Sequence, residues 1–111
     1  MNDIKLFNNP QFGEIRVVKN GNEPLFCLAD VAKSLGYANP AKTVIDHCKG
    51  VTVLETPTTS GIQQIKYGKE SEVYRLVMKS KLPDAEKFQD WVCEDVLPSI
   101  RKHGGYLTPQ N

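Results

Sequence analysis

The chain has 111 residues, 40% of them hydrophobic and 24% charged, with a formal net charge of +1. Such a length fits one domain of ordinary globular composition, able to bury a core without disulfide staples. No apolar run is long enough to cross a bilayer, and Met1-Asn2-Asp3-Ile4-Lys5 has no secretory pattern, so the expected location is cytoplasmic, with no membrane partner.

Phe12 to Leu28 reads as a β-hairpin. Ile15-Arg16-Val17-Val18-Lys19 is rich in β-formers, Asn20-Gly21 supplies the turn, and Leu25-Phe26-Cys27-Leu28 returns, with Pro24 at its start. A helix follows in which Leu28, Val31, Ala32 and Leu35 share one face, stopped by Gly36. Asn39-Pro40 then pairs an N-cap acceptor with proline at the first helical position. In that second helix Ala41, Val44, Ile45 and Cys48 are the expected buried face. Lys42, Thr43, Asp46, His47 and Lys49 are expected towards solvent, with Gly50 ending the element.

A second hairpin joins Val51-Thr52-Val53-Leu54 to Ile62-Gln63-Gln64-Ile65-Lys66-Tyr67 across a polar loop, Thr56 to Gly61. Ser71 reads as the N-cap of a third helix, Glu72 to Lys79, burying Val73, Leu76 and Val77. Leu82-Pro83 opens a fourth and longest helix, with Asp84 and Glu86 in its first turn and Ala85, Phe88, Trp91 and Val92 as its stripe. Pro98 cannot donate to the carbonyl of Glu94, so this helix should bend or restart there. Arg101-Lys102-His103 make a basic last turn before Gly104-Gly105. The order predicts an α+β fold: a small antiparallel sheet from two β-hairpins, packed with about four helices that include a helix-turn-helix-like pair.

The three cysteines, Cys27, Cys48 and Cys93, are too few and too scattered for a disulfide framework or a paired-ligand zinc site. They are expected to be buried free thiols. Phosphate loops, paired metal-binding histidines and nucleophile elbows are missing, and adjacent His47 and Cys48 point apart on a helix. The expectation is a non-enzyme without metal or cofactor.

Three features suit nucleic acid. The helix pair Ala29–Lys49 has the outline of a helix-turn-helix, whose second helix would turn Asn39, Lys42, Thr43, Asp46 and His47 towards DNA. An ordinary helical hairpin with a solvated face explains the same spacing. The Thr56–Gly61 loop could touch a backbone as a wing, or be a plain hairpin loop. Arg75, Lys79 and Lys81, with Arg101 and Lys102 farther on, could bind phosphate, although Asp84, Glu86, Asp90, Glu94 and Asp95 lie between the two clusters.

The stretches Met78-Lys79-Ser80-Lys81-Leu82-Pro83-Asp84-Ala85-Glu86-Lys87-Phe88-Gln89-Asp90-Trp91-Val92 and Asp95-Val96-Leu97-Pro98-Ser99-Ile100-Arg101-Lys102-His103-Gly104-Gly105-Tyr106 resemble the Bro-N domain. That domain is the N-terminal module of phage and prophage antirepressors and of baculovirus BRO proteins. Phe7-Asn8-Asn9, Gly13-Glu14-Ile15-Arg16, Ala29-Asp30-Val31-Ala32 and Leu35-Gly36-Tyr37-Ala38-Asn39-Pro40 extend the resemblance over nearly the whole chain. It implies a DNA-binding transcriptional regulator of antirepressor type, acting in lysogeny in a bacterial host cell. The site residues on that reading are Arg16, Asn39, Lys42, Thr43, His47, Arg75, Lys79, Lys81, Arg101 and Lys102, and the partner is double-stranded DNA. The alternative is a protein-interaction module that grips a phage or host repressor without contacting DNA. A homodimer suits either role.

Two departures stand out. Leu25 replaces a frequent aromatic, and Lys69-Glu70-Ser71-Glu72-Val73-Tyr74 replaces the usual Asn-Glu-Ser-Gly-Leu-Tyr. The resemblance further implies that 1–111 is a single Bro-N-like domain, either standing alone or lacking a C-terminal domain that relatives carry.

Overall fold

The computed structural model describes residues 3–20, 23–80 and 82–103. Strands β1 (Asp3–Asn9), β2 (Gly13–Asn20), β3 (Glu23–Cys27), β4 (Val51–Thr58) and β5 (Gly61–Gly68) form one antiparallel sheet in the order β1-β2-β3-β5-β4. Helices α1 (Leu28–Ser34) and α2 (Pro40–His47) lie between β3 and β4. After β5 come α3 (Glu70–Lys79), α4 (Ala85–Trp91), a π turn (Val92–Val96) and α5 (Leu97–His103).

The fold is α+β as expected, with one strand more than two hairpins supply. The additional strand, β1, alternates Ile4 and Leu6 with Lys5 and Phe7 and pairs with β2 along its whole length. Its turn is made by Asn9, whose Oδ1 accepts from the N–H groups of Gln11 (2.8 Å) and Phe12 (3.1 Å), an Asx-type turn. Gly13 closes it at φ +83°, where a side chain would be strained. The β2–β3 hairpin pairs Asn20 with Glu23, so Asn20 ends a strand rather than starting the turn; the tip lies outside the described residues. Pro24 is in register with Lys19 of β2, and because β5 pairs with β3 only at Phe26 and Cys27, it has no ladder bond to break on the β5 side.

Successive residues on a strand point to opposite faces, and both faces of this sheet are covered. Ile15, Val17 and Phe26 face the helices, with Leu28, Val31, Leu35, Leu76 and Val92 buried among them. Phe12, Phe88 and Trp91 meet there, with an edge-on Phe12–Phe88 contact at 5.3 Å. Val18, Leu25, Cys27 and Tyr67 face the other way and are covered by Ile4 and Leu54 from the outer strands and Ile65 from β5. The Tyr67 hydroxyl is satisfied by the hydroxyl of buried Thr56 at 2.9 Å. Beside this second core runs a groove of about 1100 Å³. Ile4 and Leu6 of β1 line one side, the end of β4 at Pro57-Thr58 with Thr59 the other.

The first helix matches its expected face, with Leu28, Val31, Ala32 and Leu35 all buried. It ends in a Schellman motif: the N–H of Tyr37 reaches the carbonyl of Ala32, that of Gly36 reaches Lys33, and Gly36 takes φ +84°. Asn39 caps α2 by accepting from the N–H of Lys42, with Pro40 opening the helix. The Thr56–Gly61 loop is instead mostly strand, since Thr56, Pro57 and Thr58 pair with Gln63, Ile62 and Gly61. Pro57 survives there because β4 is an edge strand.

Helix α3 begins at Glu70, with Lys69 as N-cap residue, so Ser71 lies inside the first turn and caps nothing. Asp84, expected within α4, is the residue before it. Ala85, Phe88, Trp91 and Val92 form the expected buried stripe. The expected irregularity before Pro98 is the π turn, where the Leu97 N–H bonds the Val92 carbonyl five residues back. One wider turn lets the helix run past a proline that cannot donate. The cysteines depart from expectation: Cys27 is buried, Cys48 half-buried and Cys93 exposed, and all are free thiols. Cys93 lies on the solvent side of the π turn, beside the Tyr74 hydroxyl at 3.1 Å.

Candidate nucleic-acid interface

Helix α2 is short enough that one residue of phase decides what it shows to solvent. The expected buried face was Ala41, Val44, Ile45 and Cys48. In the structure the inward residues are Thr43 and Val44, with His47 and Cys48 half-buried, while Ala41 is exposed and Ile45 is 66% exposed. The face is turned by about one residue, roughly 100°. Thr43 buries without penalty because its hydroxyl donates to the carbonyl of Asn39 at 2.9 Å. His47 packs beside the Tyr37 ring, 6.2 Å between centroids, and Tyr37 is anchored by donating to the Leu76 carbonyl of α3 at 2.8 Å.

Outward, α2 presents Ala41, Lys42, Ile45 and Asp46. Lys42 donates to Asp46 at 2.7 Å, and that bond holds the Asp46 carboxyl below the usual carboxylate range. The Asn39 side-chain oxygen is engaged in the cap. Of the residues expected to face DNA from this helix pair, Lys42 faces solvent, His47 borders a hollow, Asn39 is a cap and Thr43 points inward.

That hollow, about 630 Å³, lies where α1, α2 and α3 end; Tyr37, His47 and Lys79 border it with Leu82 and Pro83. It brings His47 and Lys79 together from separate elements. Arg75, one turn earlier on α3, sits with its Nε 3.4 Å from Glu72 Oε1 and its side chain 41% exposed. Glu72 is 5% exposed and accepts from the N–H groups of Lys49 (3.0 Å) and Gly50 (3.2 Å). It thereby ties α3 to the junction where α2 ends and β4 begins. Its position was visible in the sequence only as a departure from the family pattern; nothing there signalled its burial.

Arg16 is elsewhere. Its guanidinium is bound by Asp30 on the floor of the β1-side groove, and the hydrogen bond to Asp30 raises its pKa further, against the opposing effect of burial. Lys81 lies outside the described residues, as do the side chains of Arg101 and Lys102.

The chain matches the BRO family, N-terminal domain, over residues 14–98. It belongs to that family. An uncharacterized protein of Haemophilus influenzae is 51% identical over 88 residues, covering 77% of this chain and 44% of the relative. A Bro-N domain-containing protein of Invertebrate iridescent virus 6 is 33% identical over 110 residues, covering 79% of this chain and 26% of the relative. An uncharacterized Bro-N domain-containing protein of Autographa californica nuclear polyhedrosis virus is 29% identical over 120 residues, covering 90% of this chain and 36% of the relative. This Bro-N chain therefore spans less than half the length of these curated relatives. No solved structure matches it. Among its described residues no helix is long and apolar enough to cross a membrane.

Proposed function

We propose that this Bro-N chain is a DNA-binding regulatory module of antirepressor type and not an enzyme, with double-stranded DNA as its partner. The observation that supports this most is connectivity. The chain runs β3–α1–α2–β4–β5, and within the sheet β5 lies between β3 and β4. Strand, two helices and a hairpin in that order, with the first strand beside the last, is the arrangement of a winged helix-turn-helix. In such an arrangement the second helix enters a major groove, and the hairpin can reach the adjacent backbone. Helix α2 occupies the second-helix position and keeps its outer face uncovered. Exposed Lys42, Lys49, Lys66 and Lys79 supply cations for phosphate contact.

The test is affinity for duplex DNA as a function of salt. Each neutralised phosphate adds about −0.9 to the log–log slope, so three or four contacts give a slope of about −3. Absence of binding at micromolar protein, or a flat salt response, rejects the reading. A second reading, a module that grips a repressor protein, draws on the net charge of only +1 and on exposed Ile45, Val53 and Ile62. Capture of a purified repressor by a chain that shifts no duplex would favour it.

A further inference from the structure

On the DNA-binding reading above, we propose that Ala41 and Ile45 determine sequence preference by contacting thymine methyl groups in the major groove. The polar side chains of α2 are largely committed within the protein. The Asn39 oxygen caps the helix, the Thr43 hydroxyl is bonded to the Asn39 carbonyl, and Lys42 is paired with Asp46 in an exposed pair that can be exchanged for a phosphate. The outer face carries no arginine, asparagine or glutamine for bidentate reading of guanine or adenine, and its one lysine, Lys42, is paired with Asp46.

That face offers apolar surface instead. Ala41 is exposed, and Ile45, four residues on, is 66% exposed. Residues four apart lie in line on one helix face, about 6 Å apart along the axis. That spacing corresponds to roughly two base-pair steps of B-DNA. The thymine C5-methyl is the apolar group that the major-groove edge displays, and alanine-like or larger apolar side chains are its natural contacts. Ile45 is one of several large apolar side chains left in water, with Leu6, Val53, Ile62 and Met78, and the one on the outer face of α2; it gains by covering such a methyl.

The experiment selects duplexes from a random pool and then replaces individual thymines by deoxyuridine, which removes only the methyl group. Selected sites should carry thymines about two steps apart. Deoxyuridine at either should lower affinity by about fourfold, the value of one buried methyl-sized group. Ile45→Ser, which puts a hydroxyl in place of the apolar branch, should abolish the discrimination at one of the two positions without loss of folding, because Ile45 is 66% exposed and contributes almost nothing to the core. Equal affinity for thymine and deoxyuridine sites overturns this inference and leaves DNA binding standing. If no duplex is retained at all, both fall together.

Discussion

The Arg16 guanidinium and the Asp30 carboxylate form a two-pronged pair, Nε to Oδ2 at 2.8 Å and Nη2 to Oδ1 at 3.0 Å, and the Arg16 backbone N–H adds a third bond to Oδ2 at 3.0 Å. The pair links β2 to α1, and its side chains are only 28% and 18% exposed. Replacing Arg16 by alanine leaves a half-buried carboxylate short of two charge-assisted bonds. A loss of about 1–3 kcal/mol in urea unfolding is expected. Arg16→Lys should recover only part of it, since an ammonium cannot reproduce the fork. The salt slope of DNA binding should stay unchanged in either variant, because Arg16 is committed to Asp30.

Glu72 is a buried carboxylate whose partners are backbone N–H groups. Glu72→Ala removes the acceptor for Lys49 and Gly50 and leaves Arg75 beside a void. It should cost about 2–4 kcal/mol by denaturant unfolding, with Glu72→Gln milder because its amide oxygen can still accept.

Gly68 lies against the same side chain. A Cβ there would fall 2.9 Å from both Glu72 Cγ and Leu28 Cδ1, and Leu28 is fully buried in the core. Gly68→Ala should therefore destabilise by about 1–3 kcal/mol in the same assay, whereas an alanine at exposed Ala41's neighbour Lys42 should leave stability within about 0.5 kcal/mol.

Thiol chemistry separates the three cysteines. Alkylation followed by mass spectrometry should modify exposed Cys93 first, half-buried Cys48 next and buried Cys27 last. Burial pushes the Cys27 and Cys48 thiols from near 9 up to about 11. A raised folded-state pKa gives stability that is complete below about 9 and lost as pH rises towards about 11. The unfolding midpoint should fall across that window, and Cys27→Ala should flatten the fall.

What the sequence made legible is what depends on local chemistry. The Gly36 stop, the Asn39-Pro40 start and the Ala85, Phe88, Trp91 and Val92 stripe each rest on a few neighbouring residues, and each is found in place. The phase of α2 is not local. Counting apolar residues favours Ala41 and Ile45 as the inner face, but Thr43 can bury by bonding its own helix and His47 can lie on Tyr37. Strand β1 escaped notice because Leu6 is 57% exposed, so its alternation carries little contrast between a wet and a dry side. The Arg16–Asp30 and Glu72 contacts join residues 14 and more than 20 positions apart, and no periodicity encodes such pairings. Among the candidate site residues, sequence singled out Lys42, His47 and Lys79 as cations but gave no means of telling that His47 and Lys79 border one hollow while Arg16 lies in a separate groove.

The most direct test of the central claim is a titration of isotope-labelled protein with a short duplex, followed by amide chemical shifts. DNA binding through α2 predicts that the largest shifts fall on residues 39–49, with smaller ones at the β4–β5 turn, and that both shrink as salt rises. Shifts confined to the groove lined by Ile4, Leu6 and Pro57, or no shifts at all, would contradict it.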